Sequence, residues 1–450
     1  MSKVVAPKYF TERTLERLTE HQGKIVHVII IATKPDIIKQ APIYRELVDR
    51  GEFVLLCHTG QHYDFRYSGG MEEEFRLVID AHLKITGGLN SKVAQMVERF
   101  GKTLEYLKAI GKTPIPYIHG DTSTAMGVGL GSILQQVACV HVEAGIRTLT
   151  PKAKVYKKHL ANFKAGKFDF EQYFADCRKR SNYELGSMEP YPEQINTRMA
   201  EPASGFHAAP VELDREFLLS EGFSAGKIAV VGNSVVDATL ASLQEAEKST
   251  IFKKYPQLLS GRFIRICIHR RENTSDEFRF KTLIELIVKL VKSGESVLFI
   301  SLFGTEEALD KWGQREVIER LASEYPETFI YSDVWPYYRD VIAAMNKCAL
   351  VATDSGSMQE EMNVLHVPCA TLRFGSDRGE SFLAGSNIPV PPVDVDFMLE
   401  IIRGAINNKQ MRKAPMIYGE NVSARLVDEV LSRVNPETGL FISEEDRLGL

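Results

Sequence analysis

Short runs of β-branched and other apolar residues alternate along the chain with longer stretches of helical periodicity. The runs Ile25–Ala32, Phe53–Cys57, Ile115–His119, Cys139–Val142 and Ile228–Val231 read as strands. A second series follows: Phe263–Ile268, Val297–Phe303, Thr328–Tyr331, Ala349–Thr353 and Cys369–Leu372. Between them Asp36–Asp49, Lys92–Ile110, Arg279–Lys292 and Val341–Lys347 carry the helical pattern. Strands alternating with helices predict parallel sheets covered on both faces, and two such series predict two doubly wound α/β domains facing a cleft. The first domain is expected over 1–231, with a long insertion at about 149–190, and the second over 232–419. The seam is placed near Gly232, after Ile228–Val231. A C-terminal helix within 420–450, carried by the amphipathic stretch Arg425–Val434, is expected to cross back onto the first domain. Thr11–Glu20 predicts a short docking helix with Leu15 and Leu18 on one face.

Composition narrows the class. The chain has 450 residues, 44% hydrophobic and 25% charged, which excludes long disorder and coiled coil as the main theme. The net charge of −4 provides no overall basic field, so nucleic acid is not an expected partner. Six scattered cysteines form no CxxC pair, which rules out a zinc ribbon and predicts buried, reduced thiols of a cytoplasmic protein. The polar N-terminus has no signal-peptide core. No stretch of about 18 apolar residues exists to span a membrane.

Ligands of open α/β sheets bind beyond the carboxyl ends of the strands, and the polar clusters fall there. Ile115–His119 runs into His119-Gly120-Asp121-Thr122, and Cys139–Val142 runs into Glu143-Ala144-Gly145-Ile146-Arg147-Thr148. One such acid reads most simply as a helix cap. Two on successive strands would converge on one cleft, where different environments can separate their pKa values for acid–base work. Gly127, Gly129 and Gly131 miss the dinucleotide fingerprint because Ser132 stands where its last glycine belongs. They predict close helix packing, and nothing supports an NAD site. In the second half, His269-Arg270-Arg271 suits a diphosphate, with an exposed basic turn as the bland alternative. Asp354-Ser355-Gly356-Ser357 opens a helix whose free N–H groups suit phosphate. Ser357-x-x-Glu360 reads as a capping box, and Glu361 could accept from ribose hydroxyls. Arg373, Arg378 and Glu380 give the following loop either binding character or internal salt bridges. These residues alone predict an enzyme with acids in its first domain and phosphate-binding groups in its second, acting on a nucleotide that bears the group to be transformed. No metal-ligand cluster is visible.

Taken in order, the clusters resemble the motifs of the non-hydrolysing UDP-N-acetylglucosamine 2-epimerases. That family has two Rossmann-like domains in the glycosyltransferase-B arrangement. Matching stretches are His119-Gly120-Asp121-Thr122, His141-Val142-Glu143-Ala144-Gly145-Ile146-Arg147-Thr148, Gly232-Asn233-Ser234-Val235-Val236-Asp237, His269-Arg270-Arg271-Glu272-Asn273, and Asp354-Ser355-Gly356 with Gln359-Glu360-Glu361. The resemblance implies catalytic carboxyls at Asp121, Glu143 and Glu193, with His269 at the diphosphate. It also implies UDP contacts at Lys34, Lys39, Arg270, Ser355, Gly356 and Glu361. Arg147, Asn196, Arg373, Arg378 and Glu380 would border the sugar. Thr59-Gly60-Gln61-His62 matches a further motif, implying through Gln61 and His62 an activator site for a second UDP-GlcNAc. A homodimer is implied as well.

The chain departs from the pattern in places. The family's T-R-P-E is Thr33-Lys34-Pro35-Asp36 here. Its P-E-E-x-N-R is Pro192-Glu193-Gln194-Ile195-Asn196-Thr197, with Arg198 one step later. Ser357 replaces a glycine and Gly379 a proline. Glu143 and Glu193 stand 50 residues apart, enclosing a Lys- and aromatic-rich insertion near 152–189. That insertion is expected to cover the active site or extend an oligomer contact, and to be removable without unfolding the protein.

The implied reaction is reversible C2 epimerisation of UDP-N-acetylglucosamine to UDP-N-acetylmannosamine. The C2 hydrogen of an acetamido sugar is not acidic, so a base alone cannot invert that centre. Elimination of UDP and readdition to a glycal needs only carboxyls and cationic groups, without NAD or metal. A hydrolysing epimerase, a UDP-sugar glycosyltransferase and a non-catalytic UDP-sugar sensor remain as alternatives.

Overall fold

The computed structural model describes residues 5–60 and 69–442. The chain divides into two compact units. The first comprises the described residues of Met1–Ile146, Glu193–Ala238 and Gly419–Leu450; the second comprises Arg147–Pro192 and Thr239–Tyr418.

The first unit is built on strands β1 (Ile25–Ile31), β2 (Val54–His58), β3 (Ala81–His82), β4 (Thr113–His119) and β5 (Cys139–Val142). A small pair, β6 (Thr150–Pro151) and β7 (Tyr183–Glu184), lies in the second unit. β8 (Ser204–Ala209) and β9 (Ile228–Val230) return to the first. The first sheet has the order β3-β2-β1-β4-β5-β8-β9 and is parallel throughout. Its central strands are buried almost residue for residue, as expected of strands covered on both faces. Helix Leu89–Ala109 places Met96, Phe100, Leu104 and Leu107 in the core beside Val26, Val28 and Ile118.

The glycines after Asp121 serve packing. In helix Ser123–Ile133 a Cβ on Gly131 would stand 2.8 Å from the Val97 carbonyl, and one on Gly127 3.0 Å from Met96. Only glycine lets this helix lie so close to its neighbour. The helix Val422–Leu431 lies on helix Lys34–Asp49, where Arg50 donates to Asp428 and to the Ala424 carbonyl. Asp237 accepts from the backbone N–H and the hydroxyl of Ser423 at its start.

The second unit repeats the plan with β10 (Phe263–Cys267), β11 (Ser296–Ser301), β12 (Phe329–Asp333), β13 (Leu350–Thr353), β14 (Cys369–Thr371) and β15 (Asn387–Pro389). The order is β12-β11-β10-β13-β14-β15, again parallel. Each sheet therefore contains the 3-2-1-4-5-6 arrangement of a Rossmann-type domain. The order reverses between β1 and β4 in one unit and between β10 and β13 in the other.

The inserted segment differs from its expected place. It packs into the second unit, whereas the sequence reading assigned it to the first. Tyr173, Phe174 and Cys177 of helix Phe170–Cys177 belong to the same core as Ile388, Phe397 and Ile401. Tyr156, Leu160, Phe163 and Phe168 pack against that core. The Tyr173 hydroxyl donates to the Pro389 carbonyl at 2.7 Å, and Leu149 exchanges backbone hydrogen bonds with Ser376 at 2.9 and 3.0 Å. The aromatics Tyr173 and Phe174 of the insertion are core residues. Each fully buried ring contributes about 1.5–3 kcal/mol through apolar area removed from water.

All six cysteines are free and buried, and no helix of the described residues is long and apolar enough to cross a membrane.

Candidate functional site

The candidate residues gather at the carboxyl ends of the central strands, one group in each unit. In the first unit β1 leads into Thr33-Lys34-Pro35-Asp36. Asp36 caps its own helix, accepting from the Thr33 N–H at 3.0 Å and the Thr33 hydroxyl at 2.9 Å. Its other oxygen takes His119 Nδ1 at 2.9 Å from the end of β4. His119 Nε2 lies 2.9 Å from Oε2 of Glu143, the residue that follows β5. The second oxygen of Glu143 accepts from the Lys39 ammonium and, at 2.7 Å, from the Asn233 side-chain amide. Ser234 fixes the start of the 235–244 helix by donating to the Lys39 carbonyl at 2.6 Å.

Asp36, Lys39, His119, Glu143 and Asn233 are all buried. Burial works against a charged His119, but the Glu143 and Asp36 carboxylates outweigh it and raise its pKa to about 9. Glu143 sits at a φ of +66°, in the left-handed region. For a non-glycine residue this costs of order 1–3 kcal/mol and recurs where a functional group must be aimed.

Asp121 follows two residues after His119 and is half-buried. Its carbonyl accepts from the Asn196 amide at 3.0 Å, which anchors the helix Glu193–Ala200 beside the Asp121 loop. Glu193, also half-buried, is the first residue of that helix. The first unit thus joins the Asp121 loop to Glu143 on one side and to the Glu193 helix on the other. Lys34, also half-buried, opens the helix after β1. The ammonium of Lys39, expected near phosphate, bonds to Glu143. Arg147 is buried at the start of the second unit.

In the second unit the Asp354 carboxylate, fully buried after β13, organises the end of β10. It accepts from the backbone N–H groups of His269 at 3.0 Å and Arg270 at 3.0 Å, and from the Asn273 amide at 3.0 Å. His269 Nδ1 lies 3.2 Å from the same carboxylate. Asp354 outweighs the effect of burial and raises the His269 pKa to about 10, while His269 helps to hold Asp354 below its ordinary range despite desolvation. The result is a cationic imidazole at the switch point, 28% exposed, next to the N-terminus of helix Gly356–Leu365. Its charge and the helix's free N–H groups suit a diphosphate.

Glu361 accepts from the Tyr338 hydroxyl at 3.0 Å. The expected capping box is absent: the helix begins at Gly356 with Ser355 as its N-cap, Ser357 lies inside it, and Glu360 pairs with Arg378. Arg378 also meets Asp377 at 3.1 Å, Arg373 donates to Asp377 at 2.6 Å, and Glu380 accepts from Tyr418 at 2.7 Å. The 373–380 loop is therefore braced by buried ion pairs. Burial lifts the Glu380 pKa to about 6.

Gln61 and His62 lie outside the described residues. Among the described residues no group of three or more His, Cys, Asp or Glu could hold a metal ion. Asp36, His119 and Asn233 stand in the motifs of the sequence without an implied role. Their partners lie 83, 24 and 90 positions away in the chain, so no local spacing pattern reveals the network.

A profile of the UDP-N-acetylglucosamine 2-epimerase family matches residues 46–155 and 184–432. The stretch between the two matches lies inside the inserted segment. A UDP-N-acetylglucosamine 2-epimerase of Methanocaldococcus jannaschii is 27% identical over 411 residues, covering 90% of this chain and 98% of its own. One of Neisseria meningitidis serogroup A is 26% identical over 371 residues, covering 79% and 85%. The crystal structure of the M. jannaschii enzyme in complex with UDP-GlcNAc and UDP matches with a TM-score of 0.73 at 25% identity, covering 91% of this chain and 99% of that one. The N. meningitidis enzyme bound to UDP-GlcNAc matches in fold with a TM-score of 0.72 at 24% identity, with the same coverage.

Proposed function

The chain belongs to the UDP-N-acetylglucosamine 2-epimerase family, and on that premise we propose that it interconverts UDP-N-acetylglucosamine and UDP-N-acetylmannosamine without hydrolysing them. The observation that carries this reading is that Asp121 and Glu143 both stand just past the ends of adjacent parallel strands, with Glu193 opening the helix anchored to the Asp121 loop.

Three carboxyls in unlike settings provide what inversion at a non-acidic centre needs. One carboxylate takes the C2 proton as the C1–O bond to UDP breaks, leaving a glycal. UDP adds back at C1 while a second carboxyl delivers a proton to the opposite face of C2. The departing diphosphate gains charge, and His269, Arg270 and the helix N-terminus at Ser355 and Gly356 are suited to meet it. Lys34 adds a point charge where the family has a forked guanidinium. In this reading Glu361 takes the ribose, and Arg147 and Asn196 take the sugar. The route draws on protein groups alone, so neither NAD nor a metal ion enters it.

The test is incubation of the purified protein with UDP-GlcNAc, followed by proton NMR. UDP-ManNAc at equilibrium with substrate supports the proposal. Free ManNAc with stoichiometric UDP would indicate a hydrolysing enzyme, and unchanged UDP-GlcNAc would contradict an epimerase.

A further inference from the structure

The two oxygens of Glu143 are held differently. Oε1 receives Lys39 and Asn233, which come from the helix after β1 and the loop after β9. Oε2 faces His119, whose other nitrogen is bonded to Asp36. The order Asp36–His119–Glu143 places an imidazole between two buried carboxylates at 2.9 Å on each side. A neutral imidazole has one N–H and could donate to only one of them. Nδ1 bonds to Asp36 and Nε2 lies in ion-pair contact with Glu143, so both carboxylates favour the doubly protonated ring. The charged groups bonded in this network are Asp36 and Lys39 on helix Lys34–Asp49, His119 at the end of β4 and Glu143 after β5. Removing one carboxylate would leave a buried cation less well compensated, and removing the cation would leave two buried acids close together.

We propose that His119 is a positioning residue, a cation held between Asp36 and Glu143 that keeps the Glu143 carboxylate ionised and aims it. Asp36 fixes the ring from behind, as a third group orients the base in nucleophile–base–acid constellations. This deepens the epimerase reading, since it assigns the group that prepares one of the proposed catalytic carboxyls. Asp36 belongs to the role because its carboxylate both caps the helix that delivers Lys39 and holds the ring that faces Glu143.

Two measurements on the full-length protein test it. In the first, the His119 imidazole is followed by NMR titration, assigned by difference from His119→Gln. The expected midpoint is near 9, falling by about one pH unit or more in Glu143→Gln and in Asp36→Asn as one compensating charge is lost. In the second, kcat and KM of His119→Gln are measured against pH. The amide can still bond but carries no charge, so kcat should fall about 10-fold or more with KM changed little, and the acidic limb of kcat/KM should move to higher pH. A purely structural role predicts a loss without movement of that limb.

Circular dichroism and UDP binding report whether each variant is folded. If His119→Gln is not, Asp36→Asn and Glu143→Gln still test the titration. A wild-type His119 that titrates below 7, or one whose midpoint ignores both carboxylate variants, overturns the proposal. So does an unmoved acidic limb in folded His119→Gln. Wild-type protein that leaves UDP-GlcNAc unchanged would overturn the epimerase reading instead, and the titration would still decide whether His119 is the cation.

Discussion

The α-carbon of Gly120 lies so close to the carboxylate of Glu143 that a Cβ there would stand 2.9 Å from Oε2. Gly120 also has a φ of +60°, and its N–H bonds to the Val142 carbonyl at 2.8 Å, so β4 and β5 meet through this residue. Gly120→Ala should therefore disturb the carboxylate directly and add left-handed backbone strain of about 1–2 kcal/mol. The expected result is a lower thermal midpoint and a fall in kcat larger than the change in KM. Calorimetry and steady-state kinetics read the two effects separately.

Asp121→Asn, Glu143→Gln and Glu193→Gln should each reduce turnover by about 10²-fold or more, the scale of a lost general acid or base. UDP affinity, measured by calorimetry, should persist, because His269, Arg270, Ser355 and Gly356 lie in the second unit and the substitutions leave Lys34 in place. Near-normal turnover in all three variants would remove the acid–base assignment.

The insertion gives a prediction opposite to the one its sequence suggests. Since Tyr173, Phe174 and Cys177 are core residues of the second unit, excising 154–186 should leave that unit unfolded or insoluble. Phe174→Ala alone should cost about 3–5 kcal/mol, the usual penalty for truncating a buried aromatic. Urea denaturation of the variant checks the figure.

How much was legible follows from where the signals lie. Central strands such as β11, with Val297-Leu298-Phe299-Ile300, carry unbroken apolar runs because both faces are buried, and the sequence shows them within a residue or two. β8 was missed because Ser204-Gly-Phe-His-Ala-Ala209 is buried through small and polar residues and has no β-branched run. β3 and β15 are two and three residues long, too short for a period. At the site, local motifs marked Asp121, Glu143 and His269. The charge-setting pairs, Asp36 with His119 and Asp354 with His269, are brought together only by the sheet order. The pair of Arg378 with Glu360, 18 positions away, turned on the same kind of information, and so did the domain to which the insertion belongs.

The His269–Asp354 pair predicts a pH dependence. The folded His269 binds its proton more tightly than the unfolded one, with its pKa raised to about 10 from an ordinary value of 6.5. The stability it provides is complete below about 6.5 and is lost as pH rises toward 10. Asp354 is shifted the other way, so its share is lost as pH falls through and below the ordinary carboxylate range. Denaturant midpoints between pH 7 and 10 should therefore fall more steeply for the wild type than for His269→Gln. UDP affinity should weaken over the same interval as the imidazole loses its charge.

The central claim is that C2 is inverted by elimination and readdition with protein carboxyls as the acid and base. Epimerisation of UDP-GlcNAc in D₂O, followed by proton NMR of the purified UDP-ManNAc, tests it most directly. A carboxyl that exchanges with solvent returns deuterium, so the account predicts loss of the C2 proton signal in the product. UDP-ManNAc that retained its original C2 protium would contradict it.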